Sequence, residues 1–103
     1  LVILESPFAG FEKRNIEYAR LCVRDSLGRG ESPIASHLLY TQDGILNDVI
    51  PSERQLGIDA GLAWKRVADK QVFYIDYGMS SGMKYGLLYA EKIGLEVEYR
   101  KIL

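Results

Sequence analysis

The sequence predicts a small α/β domain, a flavodoxin-like or Rossmann-like parallel sheet with strand order 2-1-3-4 and helices on both faces. Three observations carry this. Short apolar or alternating runs take turns with stretches of helical periodicity, in the order strand, helix, strand, helix, strand, helix, strand. The 103 residues are one domain's worth, 1–103, enough to bury about two-thirds of the unfolded surface around a single core. Right-handed crossovers leave few ways to lay four such strands in one sheet.

The continuous apolar run Leu1–Leu4 predicts the first strand, and Pro7 and Gly10 in the following "SPFAG" break it into a loop. From Glu12 to about Gly28, apolar residues recur at Ile16, Ala19, Val23 and Leu27, a helical spacing with Gly30 as its stop. "SPIAS" predicts a short strand over Pro33–Ser36, and the stretch from His37 to Ile50 an irregular connection with room for one helical turn. Pro51, with Ser52 and Glu53 behind it, opens the next helix, because proline suits the first turn and acids favour its positive dipole end. Leu56, Ala60, Ala63 and Val67 are its expected buried stripe. Gln71–Ile75 is the third strand, Ser81 to Ile93 the last helix, and the alternating Leu95–Tyr99 a terminal edge strand.

Composition narrows the function classes. Hydrophobic residues at 48% and charged residues at 26% fit an ordinary globular domain, and no stretch is long enough to span a bilayer. A net charge of −1 offers no general attraction to polyanions, so duplex nucleic acid is a poor partner. The single cysteine, Cys22, falls on the apolar side of its helix as a reduced core thiol, which suits a reducing, cytoplasmic setting. The chain opens at Leu1 without a methionine, so a few residues are expected to precede it. "LVILESP" is too short for a signal peptide and lacks its basic flank. Seven tyrosines, three phenylalanines and a tryptophan are a generous aromatic supply for so small a core, and the 38–50 connection is unusually apolar. A homodimer or larger assembly is expected, with that segment and the Trp64 helix against a neighbour.

In a 2-1-3-4 sheet, ligands bind at the carboxyl ends of the strands beside the first and third, where the connections diverge. The loops there are "SPFAG" and "DYGMSSGM". Ser80, Ser81, Gly82 and Met83 begin a helix whose free N–H groups, hydroxyls and dipole can hold an anion or a polar oxygen, with Gly82 letting a ligand approach the backbone. Alternatively, Ser80 or Ser81 is only the N-cap and Gly78 a turn residue. Asp76 can accept from ribose hydroxyls or cap its own loop. His37, at the end of the second strand, is a pocket-lining group or a structural one, and no cysteine or second histidine is spaced to share a metal with it. Phe8 and Tyr40 can sandwich a ring or pack in the core. Arg14, just behind Ser6, Pro7, Phe8 and Gly10, can reach a phosphate or remain solvated.

Three segments together, "SPFAG", "PIASH" and "DYGMSSGMKYGLLYAEKIGLEVEY", resemble the small nucleoside 2-deoxyribosyltransferase-like proteins, in particular a short phage and bacterial branch. The resemblance covers nearly the whole chain. It implies a flavodoxin-like sheet, an oligomer, a pocket for a nucleoside or nucleotide N-glycosidic bond, and no cofactor. It also implies a glutamate nucleophile one turn into the helix after the Ser-Gly segment, where this chain has Gly86. Glycine cannot serve as nucleophile, and within a helix it costs about 1 kcal/mol against alanine, so close packing or a ligand is expected to compensate. Two functions follow. One is a binding module that captures a nucleotide or ribose-containing molecule, such as a nucleotide-derived signal in phage–host conflict. The other is an N-glycosidase or deoxyribosyltransferase in which Asp76 or Glu5 supplies the missing carboxylate.

Overall fold

Strand β1 (Val2–Glu5) runs through the middle of a four-stranded sheet, paired in parallel with β2 (Pro33–Ile34) on one side and β3 (Lys70–Tyr74) on the other. β3 pairs in parallel with β4 (Glu96–Arg100), so the order is β2-β1-β3-β4, as expected. The computed structural model describes residues 1–103 and adds the helices α1 (Glu12–Gly28), α2 (Ser36–Leu39), α3 (Pro51–Trp64) and α4 (Ser81–Ile93). No helix is long and apolar enough to cross a membrane.

Strand side chains alternate between two faces. Val2 and Leu4 of β1 and Val72 and Tyr74 of β3 share one face, where they form a buried cluster with Tyr18 and Cys22 of α1. The inward stripe of α1 is therefore Asn15, Tyr18, Ala19, Cys22 and Ser26, while Leu27 of the expected stripe is exposed. The stripe rotates because Tyr18 carries more apolar area than Ile16 and ends in a hydroxyl with buried partners. On the same face, the Arg100 guanidinium joins Glu31 at 2.6 and 2.8 Å, Tyr74 Oη at 3.0 Å and the Glu98 carboxylate, tying the β4 edge to the loop after α1.

The opposite face presents Ile3 and Glu5 of β1 in register with Gln71 and Phe73 of β3. Here α4 lies close, with Met83, Gly86 and Ala90 buried. Its ends follow local chemistry: Ser80 Oγ accepts from Met83 N–H at 3.2 Å, and Gly94, at φ 73°, supplies the left-handed C-cap that a side chain would strain.

Two expectations are corrected. The second strand is only two residues long, because Ala35 turns the chain and Ser36 starts α2, so His37 sits on a helical turn and not at a strand end. No residue of α3 is buried, and Leu56 and Val67 are each 60% exposed. The helix turns its glycines inward instead. A Cβ on Gly61 would lie 2.8 Å from Ser36 Oγ, and one on Gly57 3.3 Å from Leu46 Cδ1.

Candidate functional site

Where β1 ends, a cavity of about 160 Å³ opens between α3 and α4. Glu5 and Ser6 reach it from β1, Ser36 and His37 from α2, Ile58, Gly61 and Leu62 from α3, Lys65 from just beyond α3, and Ser80, Gly82, Met83, Tyr85 and Gly86 from α4 and its cap. A second cavity of about 130 Å³ shares Ser36, His37 and Ile58 with it and continues to Phe8, Tyr40 and Arg54.

Gly86 is the centre of the first cavity's polar side. A Cβ built on it would meet three side-chain polar atoms, Gln71 Nε2 at 3.2 Å, Lys65 Nζ at 3.2 Å and Glu5 Oε1 at 3.3 Å. Lys65 is buried and donates to the Gly86 carbonyl at 3.0 Å. Burial pushes the Glu5 carboxyl up to about 7, partly offset by the positive charge of Lys65. Burial likewise lowers the ammonium of Lys65, with Glu5 opposing. At neutral pH the site thus holds a carboxyl group near its midpoint, able to give or take a proton.

His37 Nε2 and Ser6 Oγ are 2.7 Å apart on the cavity wall. Burial alone pushes the imidazole down to about 4, so the ring is neutral at pH 7 and serves as a hydrogen-bonding group. At the rim, Ser80 caps α4 with its hydroxyl, which leaves the N–H groups of Ser81 and Gly82 in the first turn for other acceptors. Nothing lies within 4 Å of a Cβ on Gly82, so that rim is open.

Of the residues expected from the sequence, Glu5, Ser6, His37, Ser80, Gly82 and Met83 line this cavity, and Phe8 and Tyr40 the adjoining one. Ser81 is exposed beside the rim, Pro7 is buried in the loop, and Gly10 provides its positive-φ turn. Arg14 points elsewhere. Its guanidinium stacks over Tyr77 and Phe11, at 4.0 and 4.7 Å from the ring centres, and bonds to Asn15 Oδ1. Asn15 in turn holds the loop by donating to the carbonyls of Phe8 and Ala9.

Asp76 is the main correction. Its carboxylate accepts from Tyr18 Oη at 2.5 Å and from the backbone N–H groups of Ile102 and Leu103, so it anchors the C-terminal tail and does not face the cavity. Burial works against its charge, yet the Tyr18 hydroxyl and those N–H groups hold its carboxyl below the usual range. Of the two acids considered, only Glu5 is at the site.

Lys65, Gln71 and Gly61 were missed. Lysine at a helix end reads as solvated, and a lone glutamine in a strand reads as a surface position. The available signal for Gln71 was its place in a strand that must be buried on both faces.

Among curated proteins and among solved structures nothing matches the chain. Residues 1–100 match a family described as Domain of unknown function (DUF7768), and this span, nearly the entire sequence, means that the chain belongs to that family.

Proposed function

We propose that the chain binds a nucleotide or another ribose-containing small molecule in the cavity at the end of β1. The observation that carries this is the pairing of two kinds of recognition in one place. An open helix N-terminus at Ser80–Gly82 suits a phosphate or other anion, and a polar floor of Glu5 and Lys65 around Gly86, backed by the buried Gln71, suits a sugar. The location, beside the central strand pair at the carboxyl ends, is where parallel α/β sheets take ligands. The likeness to nucleoside deoxyribosyltransferase-like proteins supports the same class of ligand. Mixing the purified protein with a panel of nucleotides and nucleotide-derived signals, then releasing the bound fraction by heat for mass analysis, is expected to return an intact ligand. Recovery of none from the panel overturns the reading.

One observation favours a second reading, cleavage of an N-glycosidic bond. Burial pushes the Glu5 carboxyl up to about 7, and its Oε1 lies 3.3 Å from where a side chain on residue 86 would begin. In that reaction Glu5 takes a proton from water as the water oxygen bonds to the anomeric carbon. The C–N bond breaks, and the proton that Glu5 took from the water passes to the leaving base nitrogen, which restores the carboxylate. The same experiment separates the two: a free base and sugar in the heat-released fraction mean turnover.

A further inference from the structure

We propose that the ligand is a ribo compound, and that Glu5, Lys65 and Gln71 form a subsite over Gly86 that reads the vicinal hydroxyls of its sugar. This rests on the binding reading above and names the part of the ligand that the floor of the cavity recognises.

Gln71 carries the argument. Its side chain is fully buried, and neither Nε2 nor Oε1 has a hydrogen-bond partner within the protein. A buried amide with both ends unpaired is costly, so native proteins supply it with a partner. Its Nε2 is directed at the space beside Gly86, where Lys65 Nζ and Glu5 Oε1 also arrive. Lys65 uses one of its three N–H groups on the Gly86 carbonyl and has two left. The group that completes this arrangement must therefore accept from an ammonium and an amide N–H and donate to the Glu5 carboxylate.

A carboxylate has no proton to give and, like a phosphate, would set a negative charge against Glu5. An ammonium would face Lys65, and an apolar group would leave Gln71 unpaired. A hydroxyl both donates and accepts. One hydroxyl at Gln71 Nε2 and a second on the adjacent carbon, beside Lys65 Nζ and Glu5 Oε1, match the three groups that converge there. A side chain on residue 86 would crowd Gln71 Nε2, Lys65 Nζ and Glu5 Oε1 and stand between them and a ligand, which glycine avoids. The spacing along α4 agrees. Ser81 at the helix N-terminus and Gly86 are five residues apart in sequence, about 7.5 Å along the axis. A pentose spans that distance between its 5-phosphate and its ring hydroxyls.

Calorimetric titration of the full chain with ribose 5-phosphate and with 2-deoxyribose 5-phosphate tests this. Because a site built around a hydroxyl rejects the analogue that lacks it, the ribo form is expected to bind at least tenfold more tightly. Gly86→Ala, whose methyl displaces only the flexible ends of three side chains, is expected to erase that preference with circular dichroism unchanged. Gln71→Leu is expected to do the same. Equal affinities in the wild type, or a preference that survives Gly86→Ala, overturn the subsite. Failure of both sugar phosphates to bind overturns it too. A nucleotide captured in the heat-release experiment would then leave the wider reading standing, and an empty result there would remove both.

Discussion

Glu5 and His37 line one cavity and are displaced by burial in opposite senses, the carboxyl up to about 7 and the imidazole down to about 4. In each the charged form is disfavoured, and this has a measurable consequence for stability.

Between pH 4.5 and 7 the folded chain keeps a proton on Glu5 that the unfolded chain has released, so the Glu5 contribution falls as pH rises and levels off above 7. Between pH 4 and 6.5 the unfolded chain binds a proton on His37 that the folded chain refuses, so the His37 contribution rises with pH. Each effect is on the order of 3 kcal/mol across its window. They nearly cancel where they overlap, and urea midpoints of the wild type are expected to change little from these two groups between pH 4.5 and 6.5. Glu5→Gln is expected to expose the His37 rise, and His37→Gln the Glu5 fall. Parallel profiles for the two variants would contradict the burial of both groups. Below pH 4.5 a separate loss is expected as Glu31, held down to about 2 chiefly by hydrogen bonds from Arg100, takes up a proton.

Asp76 makes a different prediction from the one its loop suggests. Its carboxylate joins Tyr18 to the tail at Ile102 and Leu103, so Asp76→Ala is expected to destabilise the fold by about 1 to 2 kcal/mol, chiefly through the buried Tyr18 hydroxyl left unpaired. Hydrogen exchange at the Ile102 and Leu103 amides should accelerate while ligand affinity stays within a factor of two. A selective loss of binding with the tail still protected would return Asp76 to the site.

What the sequence made legible, and what it hid, divides along physical lines. The sheet order was readable because β1 and β3 carry apolar residues on both faces and helices alternate with strands. β2 was not bounded correctly because two residues carry no periodicity. The loops "SPFAG" and "DYGMSSGM" pointed, through glycine, proline and serine, to the end of the sheet where the cavity between α3 and α4 opens. The floor of the cavity stayed hidden, since Lys65 and Gln71 acquire their meaning only from burial. The partners of Asp76 lie 26 residues and more away along the chain, at a distance no local motif spans.

The helix terminus is tested at Gly82. A Cβ there meets nothing within 4 Å, so Gly82→Val is expected to fold normally, yet its branched side chain would stand where a ligand approaches the rim. Nucleotide affinity should drop by more than tenfold in equilibrium dialysis. Ser81→Ala removes a hydroxyl and keeps the N–H groups, so several-fold weakening is expected, or about 1 kcal/mol. Wild-type affinity in folded Gly82→Val would take this rim out of the site.

The last prediction concerns α3. Gly61 faces Ser36 of α2 and Gly57 faces Leu46, which leaves Leu56 and, just past the helix end, Val67 each 60% exposed, with Trp64 at 41%. Tyr85 and Leu88 of α4 are exposed as well, and Tyr85 also borders the cavity. Apolar side chains in this number are costly to leave in water, and a second copy of the chain covering them would also shield the mouth of the site. Light scattering at micromolar concentration is expected to give at least a dimer. Leu56→Arg and Val67→Arg together should shift it to monomer, since neither residue is buried within the chain and their loss should leave the fold intact. Ligand affinity should weaken in the same double variant if the neighbour closes the cavity. A wild-type monomer would mean that this face meets solvent or another partner.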